Sequence, residues 1–176
     1  MQLIEGATLE HEWSAMIVEE KYEICTQLHG MLHELRQLGR IPQIGLAVYS
    51  NHLRTINRQC AQDVIFQEKK FEVFSDVTSF HDWYSGVSVI SDMDLSDPDP
   101  WRPGLLDDVP IVFTHADLHR SNIMMSWAKG KPRITEIVDW HQSGWYPACW
   151  EFYKTRYTAR MQEQWEIDFI LEFLQS

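Results

Sequence analysis

Apolar residues recur at intervals of three and four over residues 14–38, with Glu, Lys and Arg between them. This spacing places the apolar side chains on one face of an α-helix and predicts that this face packs in the core. Ser14 is a suitable N-cap and Gly39 a typical stop signal, so we expect the helix to span residues 14–38. The apolar face consists of Ile17, Ile24, Leu28, Met31, Leu32, Leu35 and Leu38.

Shorter apolar segments predict strands. Residues 46–49, 111–113 and 134–138 are typical of short strands, and a Lys-Gly-Lys-Pro turn at residues 129–132 precedes the last of them. Residues 144–147 contain Gly and Pro and are expected to break the chain between elements. The two strands at 111–113 and 134–138 are expected to form one small β element.

Three more helices are predicted. Ser79 is expected to cap a short helix that carries Phe80, and the last two helices are expected over residues 148–161 and 162–173. Glu151 is expected to stabilise its helix or form an ion pair. The side chains expected to pack inward from the last two helices are Trp150, Phe152, Tyr153, Tyr157, Trp165, Phe169 and residues 171–173.

Length and composition are those of one globular domain over residues 1–176. The hydrophobic fraction is 44% and the chain has eight Trp, which excludes a disordered protein. The formal net charge of −11 disfavours nucleic acid and anionic membranes as partners and favours a cationic or neutral small molecule. Three well-separated cysteines and the lack of a signal peptide or membrane span favour a cytoplasmic protein.

Polar residues with catalytic potential follow two of the predicted strands. Asp117 and Asn122 come after residues 111–113, and Asp139 comes directly after residues 134–138. Asp117 is suited to accept a proton from an attacking hydroxyl, whereas Asn122 and Asp139 offer hard oxygen ligands for Mg²⁺. The pattern H-x-D-x-x-x-x-N followed by a strand and an Asp is typical of phosphoryl transfer.

These residues also carry a resemblance to a known family. The segment HADLHRSNI at 115–123 resembles the catalytic loop of aminoglycoside phosphotransferases and choline kinases, and IVDW at 137–140 resembles their metal-binding segment. The resemblance implies a hydroxyl-directed phosphotransferase that uses ATP and Mg²⁺. The implied fold is protein-kinase-like, α+β and mostly helical, with a small β element that carries the catalytic loop.

The resemblance assigns roles to individual residues. Asp117 corresponds to the catalytic base, and His115 and His119 correspond to residues that shape the catalytic loop. Asn122 and Asp139 correspond to metal ligands that also bind the cofactor. Two positions depart from the family pattern: Ala116 stands where Gly is usual, and His141 stands where an acid often follows the Trp.

The resemblance covers the C-terminal lobe of the fold. Residues 1–6 are similar to the hinge, with Met1 and Ile4 among the residues that contact the cofactor, and residues 147–151 are similar to fungal members. Residues 1–176 contain no Gly-rich phosphate loop and no V-A-I-K-like strand, so the N-terminal lobe is expected to be absent. ATP use would then require a homodimer or a partner that supplies this lobe.

Three alternatives stay open from the sequence. An ATP-independent cyclase, isomerase or hydrolase would use the same Asp and His residues for acid–base chemistry. A non-catalytic binding module would present an apolar patch to its partner. A zinc or iron site would draw its ligands from His115, Asp117, His119, Asp139 and His141.

Overall fold

The structure is a computed structural model that describes residues 6–38, 54–55, 74–88 and 102–174. The predicted strand at residues 46–49 and the two hinge residues Met1 and Ile4 lie outside the described residues. All statements below concern the described ranges.

The N-terminal part consists of a short strand and two helices: β1 (Ala7–Thr8), α1 (Leu9–Glu12) and α2 (Val18–Arg36). Thr8 caps α1, because its Oγ1 accepts a hydrogen bond from the backbone N–H of His11 at 3.3 Å. The expected start of the long helix at Ser14 is wrong by several residues. The Glu20 carboxylate accepts a hydrogen bond from the backbone N–H of Ile17 at 2.9 Å, which satisfies the helix start there.

The apolar face of α2 is narrower than its sequence pattern indicates. Ile24, Leu28 and Leu32 are buried in the core, as predicted. Ile17 lies before the helix and is 59% exposed, and Met31 and Leu38 also face solvent. Only the central part of the predicted apolar face therefore contributes to the core.

One antiparallel sheet has the strand order β1-β4-β5, with β4 at Ile123–Ala128 and β5 at Lys131–Ile137. β4 and β5 form a hairpin that pairs Ile123 with Ile137 and Ala128 with Lys131. Lys129 and Gly130 both have positive φ angles, 53° and 75°, which is the geometry of a tight two-residue hairpin turn. The turn was predicted, but β4 was not, and β5 begins before residue 134.

A second antiparallel sheet has the order β2-β6-β3, with β2 at Arg54–Thr55, β3 at Ile111–Thr114 and β6 at Gly144–Pro147. The expected break at residues 144–147 is wrong, because this segment is the central strand and pairs Val112 with Tyr146 and Thr114 with Gly144. The predicted strands at 111–113 and 134–138 belong to different sheets, so the expectation that they form one small β element is wrong.

The remaining helices are α3 (Val77–Ser88), α4 (Trp150–Thr158), a π-helical segment (Trp165–Phe169) and α5 (Ile170–Leu174). Asp76, and not Ser79, caps α3, since its Oδ1 accepts the Ser79 backbone N–H at 2.8 Å. Tyr157 is 67% exposed because α4 ends at Thr158, so its predicted burial is wrong. Leu171 is also exposed, whereas Trp165 and Phe173 are buried as predicted.

The described core has two clusters, one on each side of the segment at 111–123. The larger cluster packs α2 against the hairpin and α5, and the smaller one packs α3 against β6 and α4 around Phe80 and Trp150. The fold is α+β, and helices make up about half of the described residues rather than most of them. None of the described helices has the length and apolar character needed to cross a membrane.

Candidate active site

The end of the β4–β5 hairpin brings two segments of the candidate site together. Beyond the paired residues Ile123 and Ile137, the backbone N–H of Val138 donates to the backbone oxygen of Asn122 at 2.9 Å. Asp139 is the next residue along the chain. Asn122 and Asp139 therefore lie at the same end of the hairpin, although 17 positions separate them in the sequence.

His115 connects the loop after β3 to this hairpin end. Its side chain is fully buried; Nδ1 accepts the backbone N–H of Asp117 at 3.2 Å, and Nε2 lies 3.0 Å from the backbone oxygen of Val138. Because Nδ1 is an acceptor, the proton is on Nε2, which donates to Val138. Burial lowers the pKa of His115, which favours this neutral form. His115 thus shapes the loop and has no ring nitrogen left for a substrate.

Asp117, His119 and Asn122 form a compact polar group. The Asn122 amide nitrogen donates to the Asp117 backbone oxygen at 2.9 Å and to its carboxylate oxygen Oδ2 at 3.3 Å. It also lies 3.3 Å from Nε2 of His119, whose Nδ1 lies 2.7 Å from the Ser121 hydroxyl. The amide nitrogen Nδ2 makes all of these side-chain contacts of Asn122. The amide oxygen Oδ1 of Asn122 is therefore the atom suited to bind a cation.

Asp139 adopts a left-handed backbone conformation, with φ 63° and ψ 61°. Asp tolerates this conformation better than most residues, and here it turns the chain sharply at the end of β5. Trp140 follows: its Nε1 donates to the Ile137 backbone oxygen at 2.7 Å, and its ring packs edge-on against His115, with 4.5 Å between ring centroids. The turn therefore holds Asp139 in a fixed position next to His115.

Glu151 positions the loop after β3, and this contact was not predicted from the sequence. It is buried in the first turn of α4, and its two carboxylate oxygens accept the backbone N–H groups of His115 at 2.7 Å and of Ala116 at 3.1 Å. Ala116 has a φ of 64°, which explains why Gly is usual at this position. Glu151 holds this strained turn in place. The available signal was a single acid within the apolar run Cys-Trp-Glu-Phe-Tyr at 149–153.

The arrangement offers one base and two oxygen ligands on neighbouring loops. The Asp117 side chain is 15% exposed, so a substrate can reach it. The Asn122 amide oxygen and the Asp139 carboxylate fit a hard cation such as Mg²⁺. Within the described residues, no group of three or more His, Cys, Asp and Glu side chains could hold a metal ion, which does not support the zinc or iron alternative. His141 faces solvent.

A cavity of about 1,090 Å³ lies between α2 and β5, next to the turn that contains Trp140. Its apolar lining includes Leu32, Leu35, Ile134 and Ile137, and Trp140 lies at one end. Asp117, Asn122 and Asp139 lie outside its lining. The cavity and the polar site are therefore separate features that share the Trp140 turn.

Comparison with known proteins gives one family. The sequence model of the phosphotransferase enzyme family, APH, matches residues 1–175. A search of curated proteins gives no match. The matched range contains Asp117, Asn122 and Asp139, so the family match and the geometry concern the same residues.

The buried carboxyl of Glu151 predicts a pH-dependent stability. Burial raises the pKa of Glu151 from 4.5 to about 7, while the two backbone hydrogen bonds act in the opposite direction. The folded state therefore binds more protons than the unfolded chain between these two pH values, and the contribution of Glu151 to stability falls as the pH rises through this window. Glu151→Gln removes this loss. Between pH 4.5 and 8, its free energy of unfolding should therefore rise by up to about 3 kcal/mol relative to that of the wild type.

Chemical denaturation of both proteins across this pH range measures the difference. Glu172→Gln, at an exposed position on α5, is the matched control and should show no such trend. A difference between wild type and Glu151→Gln that stays constant with pH would contradict the assignment.

Proposed function

Because the chain belongs to the phosphotransferase enzyme family, we propose that it transfers the γ-phosphoryl group of ATP to a hydroxyl group of a small molecule. The observation that carries this proposal is the convergence of Asp117, Asn122 and Asp139, which the His115 and Val138 contacts hold at one end of the hairpin. Phosphoryl transfer depends mainly on positioning and on charge neutralisation, and these residues are suited to both.

Asp117 is the proposed general base. Its carboxylate is partly exposed and accepts one hydrogen bond, from the Asn122 amide nitrogen. His119 Nε2 lies 3.9 Å from the other carboxylate oxygen, on the same side of the loop. In this role, Asp117 accepts the proton of the attacking hydroxyl, and the Asn122 contact fixes the direction in which the carboxylate points.

Asn122 and Asp139 are the proposed ligands of Mg²⁺. The family generally uses ATP and Mg²⁺, and an amide oxygen and a carboxylate are oxygen donors of the kind that this ion takes. When bound, Mg²⁺ neutralises the phosphate oxygens of the nucleotide. The protein contributes a fixed orientation of both ligands, through the Val138–Asn122 backbone bond and the Asp139 turn.

The acceptor is proposed to be a cationic or neutral small molecule. The net charge of −11 repels anionic acceptors and attracts cations to the surface. We further infer that residues 1–176 act as the C-terminal lobe of a kinase-like fold. Residues that cover the nucleotide phosphates would then come from another part of a longer protein, a second copy or a partner, because the sequence contains no Gly-rich loop.

Calorimetric titration with ATP and Mg²⁺ tests the proposal. We expect micromolar binding that Asp139→Ala abolishes and that Asp168→Ala, at an exposed position, leaves unchanged. Asp117→Asn should retain nucleotide binding and lower turnover by at least about 100-fold, because it removes the base without removing a metal ligand. Absence of nucleotide binding would exclude the kinase function for this chain. Turnover without ATP would favour the acid–base alternative.

The cavity between α2 and β5 favours a second candidate function, the binding of a cationic apolar ligand. Its apolar lining is accompanied by Glu23, Glu34 and Glu136, against one basic residue, Arg133. Trp140 supplies an aromatic ring at one end, and aromatic rings attract quaternary ammonium groups. A volume of about 1,090 Å³ accommodates a small organic molecule.

Benzyltrimethylammonium is a suitable probe for this cavity. We expect calorimetry to detect its binding and Leu35→Lys, which places a positive charge in the apolar lining, to weaken that binding at least tenfold (about 1.4 kcal/mol). Glu172→Gln, outside the cavity, should bind the probe as the wild type does. Equal affinity in the wild type and Leu35→Lys would exclude the cavity as the binding site.

A further inference from the structure

A second group of reactive side chains lies apart from Asp117, where α3, the segment after residue 104 and the start of α4 meet. His81 in α3 is 1% exposed, and its Nδ1 lies 3.1 Å from the Asp107 carboxylate oxygen Oδ1. Its other ring nitrogen, Nε2, lies 3.9 Å from Sγ of Cys149, the half-buried residue before α4. The Cys149 thiol, the His81 imidazole and the Asp107 carboxylate therefore lie next to one another in space, in that order.

The hydrogen bonds determine which ring nitrogen of neutral His81 carries the proton. The hydrogen bond from Arg102 lowers the pKa of Asp107, so this carboxyl is ionised and can only accept hydrogen bonds. The proton of neutral His81 is therefore on Nδ1, which donates to Asp107. The lone pair of Nε2 faces the Cys149 thiol, which is the arrangement of a nucleophile, a base and a residue that orients the base.

Arg102 holds the orienting carboxylate in place. Its Nη2 donates to Asp107 Oδ2 at 2.7 Å, its Nε donates to Asp82 at 2.6 Å, and its Nη1 donates to the Leu105 backbone oxygen at 3.1 Å. One oxygen of Asp107 thus serves Arg102 and the other serves His81.

Cys149 lies at the start of α4. It is the N-cap residue of this nine-residue helix, and its thiol makes no capping hydrogen bond. Burial raises the pKa of the Cys149 thiol, so the sulfur is protonated at rest. Its reaction therefore requires a base, and His81 Nε2 is in position to act as one.

We propose that Cys149 is a site of covalent modification by small uncharged peroxides, with His81 as the base that takes the thiol proton. The sulfur attacks one peroxide oxygen, so that an S–O bond forms and the O–O bond breaks. The leaving oxygen takes the proton from His81 and departs as water or an alcohol. Sulfur is oxidised to a sulfenic acid and the peroxide is reduced. The half-buried sulfur and the acidic protein select against large or anionic reagents.

The chain contains its own control thiol. Cys25 in α2 is 2% exposed, and burial raises its pKa to about 12. Its sulfur contacts a backbone oxygen, that of Phe169 at 4.0 Å, which is not a base. Cys60 lies outside the described residues, so Cys60→Ser provides the background for the test. The ratio of Cys149 to Cys25 labelling compares two thiols within one folded molecule, and the change of this ratio between variants reports activation of Cys149.

The test treats the full chain in the Cys60→Ser background with hydrogen peroxide, traps sulfenic acid with dimedone, and quantifies both cysteine peptides by mass spectrometry. We expect Cys149 to be labelled at least about tenfold faster than Cys25, and Asp107→Asn to reduce this ratio at least about tenfold. His81→Asn should do the same while far-UV circular dichroism confirms folding. Asp82→Asn is the matched control, because it removes the other carboxylate partner of Arg102 and keeps the His81 contact.

Two results would overturn the proposal. Equal labelling of Cys149 and Cys25 in the parent protein would mean that Cys149 is not activated. An unchanged ratio in Asp107→Asn would mean that the His81–Asp107 pair does not act on the thiol. The readout is thiol labelling, so the result does not depend on phosphotransferase activity. Asp107 is partly exposed, which keeps its variant informative if His81→Asn fails to fold.

Discussion

The site depends on the hydrogen bonds of one buried imidazole. His115 accepts the backbone N–H of Asp117 at Nδ1 and donates from Nε2 to the Val138 backbone oxygen. The first bond shapes the loop that carries the candidate base, and the second ties this loop to the strand end that carries Asp139. Val138 in turn donates its backbone N–H to Asn122. Three segments from two different sheets thus meet through neutral hydrogen bonds, which keeps the carboxylates free for chemistry.

The helix α4 supports this arrangement from the opposite side. Glu151 accepts two backbone N–H groups of the same loop, at the point where Ala116 takes a left-handed conformation. A non-Gly residue in that conformation costs roughly 1–2 kcal/mol, and burial of the carboxyl costs more. The first cost falls at Ala116 and the second at Glu151, which contacts the same loop, and strain of the backbone is typically found where a loop has a function. The surrounding core, with Trp150 and Tyr146 fully buried, compensates for them.

The sequence indicated which polar residues lie close together better than it indicated the strands that position them. The spacing of Asp117, Asn122 and Asp139 predicted their proximity, and their roles in a reaction stay a prediction. The strand β6 was missed because Gly144 and Pro147 are typical of a break, and its central place depends on long-range pairing with β3. The start of α2 was misplaced because Glu20, and not Ser14, satisfies the first turn. The role of Glu151 depends on which backbone groups α4 meets in the folded chain, and no local pattern encodes that contact.

The most direct test of this account is the tautomer of His115, measured by ¹⁵N nuclear magnetic resonance on protein labelled at histidine, with His115→Gln to assign the signal. The account predicts a neutral ring at pH 7 with its proton on Nε2, because Nδ1 accepts from Asp117 and burial lowers the pKa of His115. A charged ring, or a proton on Nδ1, would contradict it, since Asp117 and Val138 would then not be joined through His115.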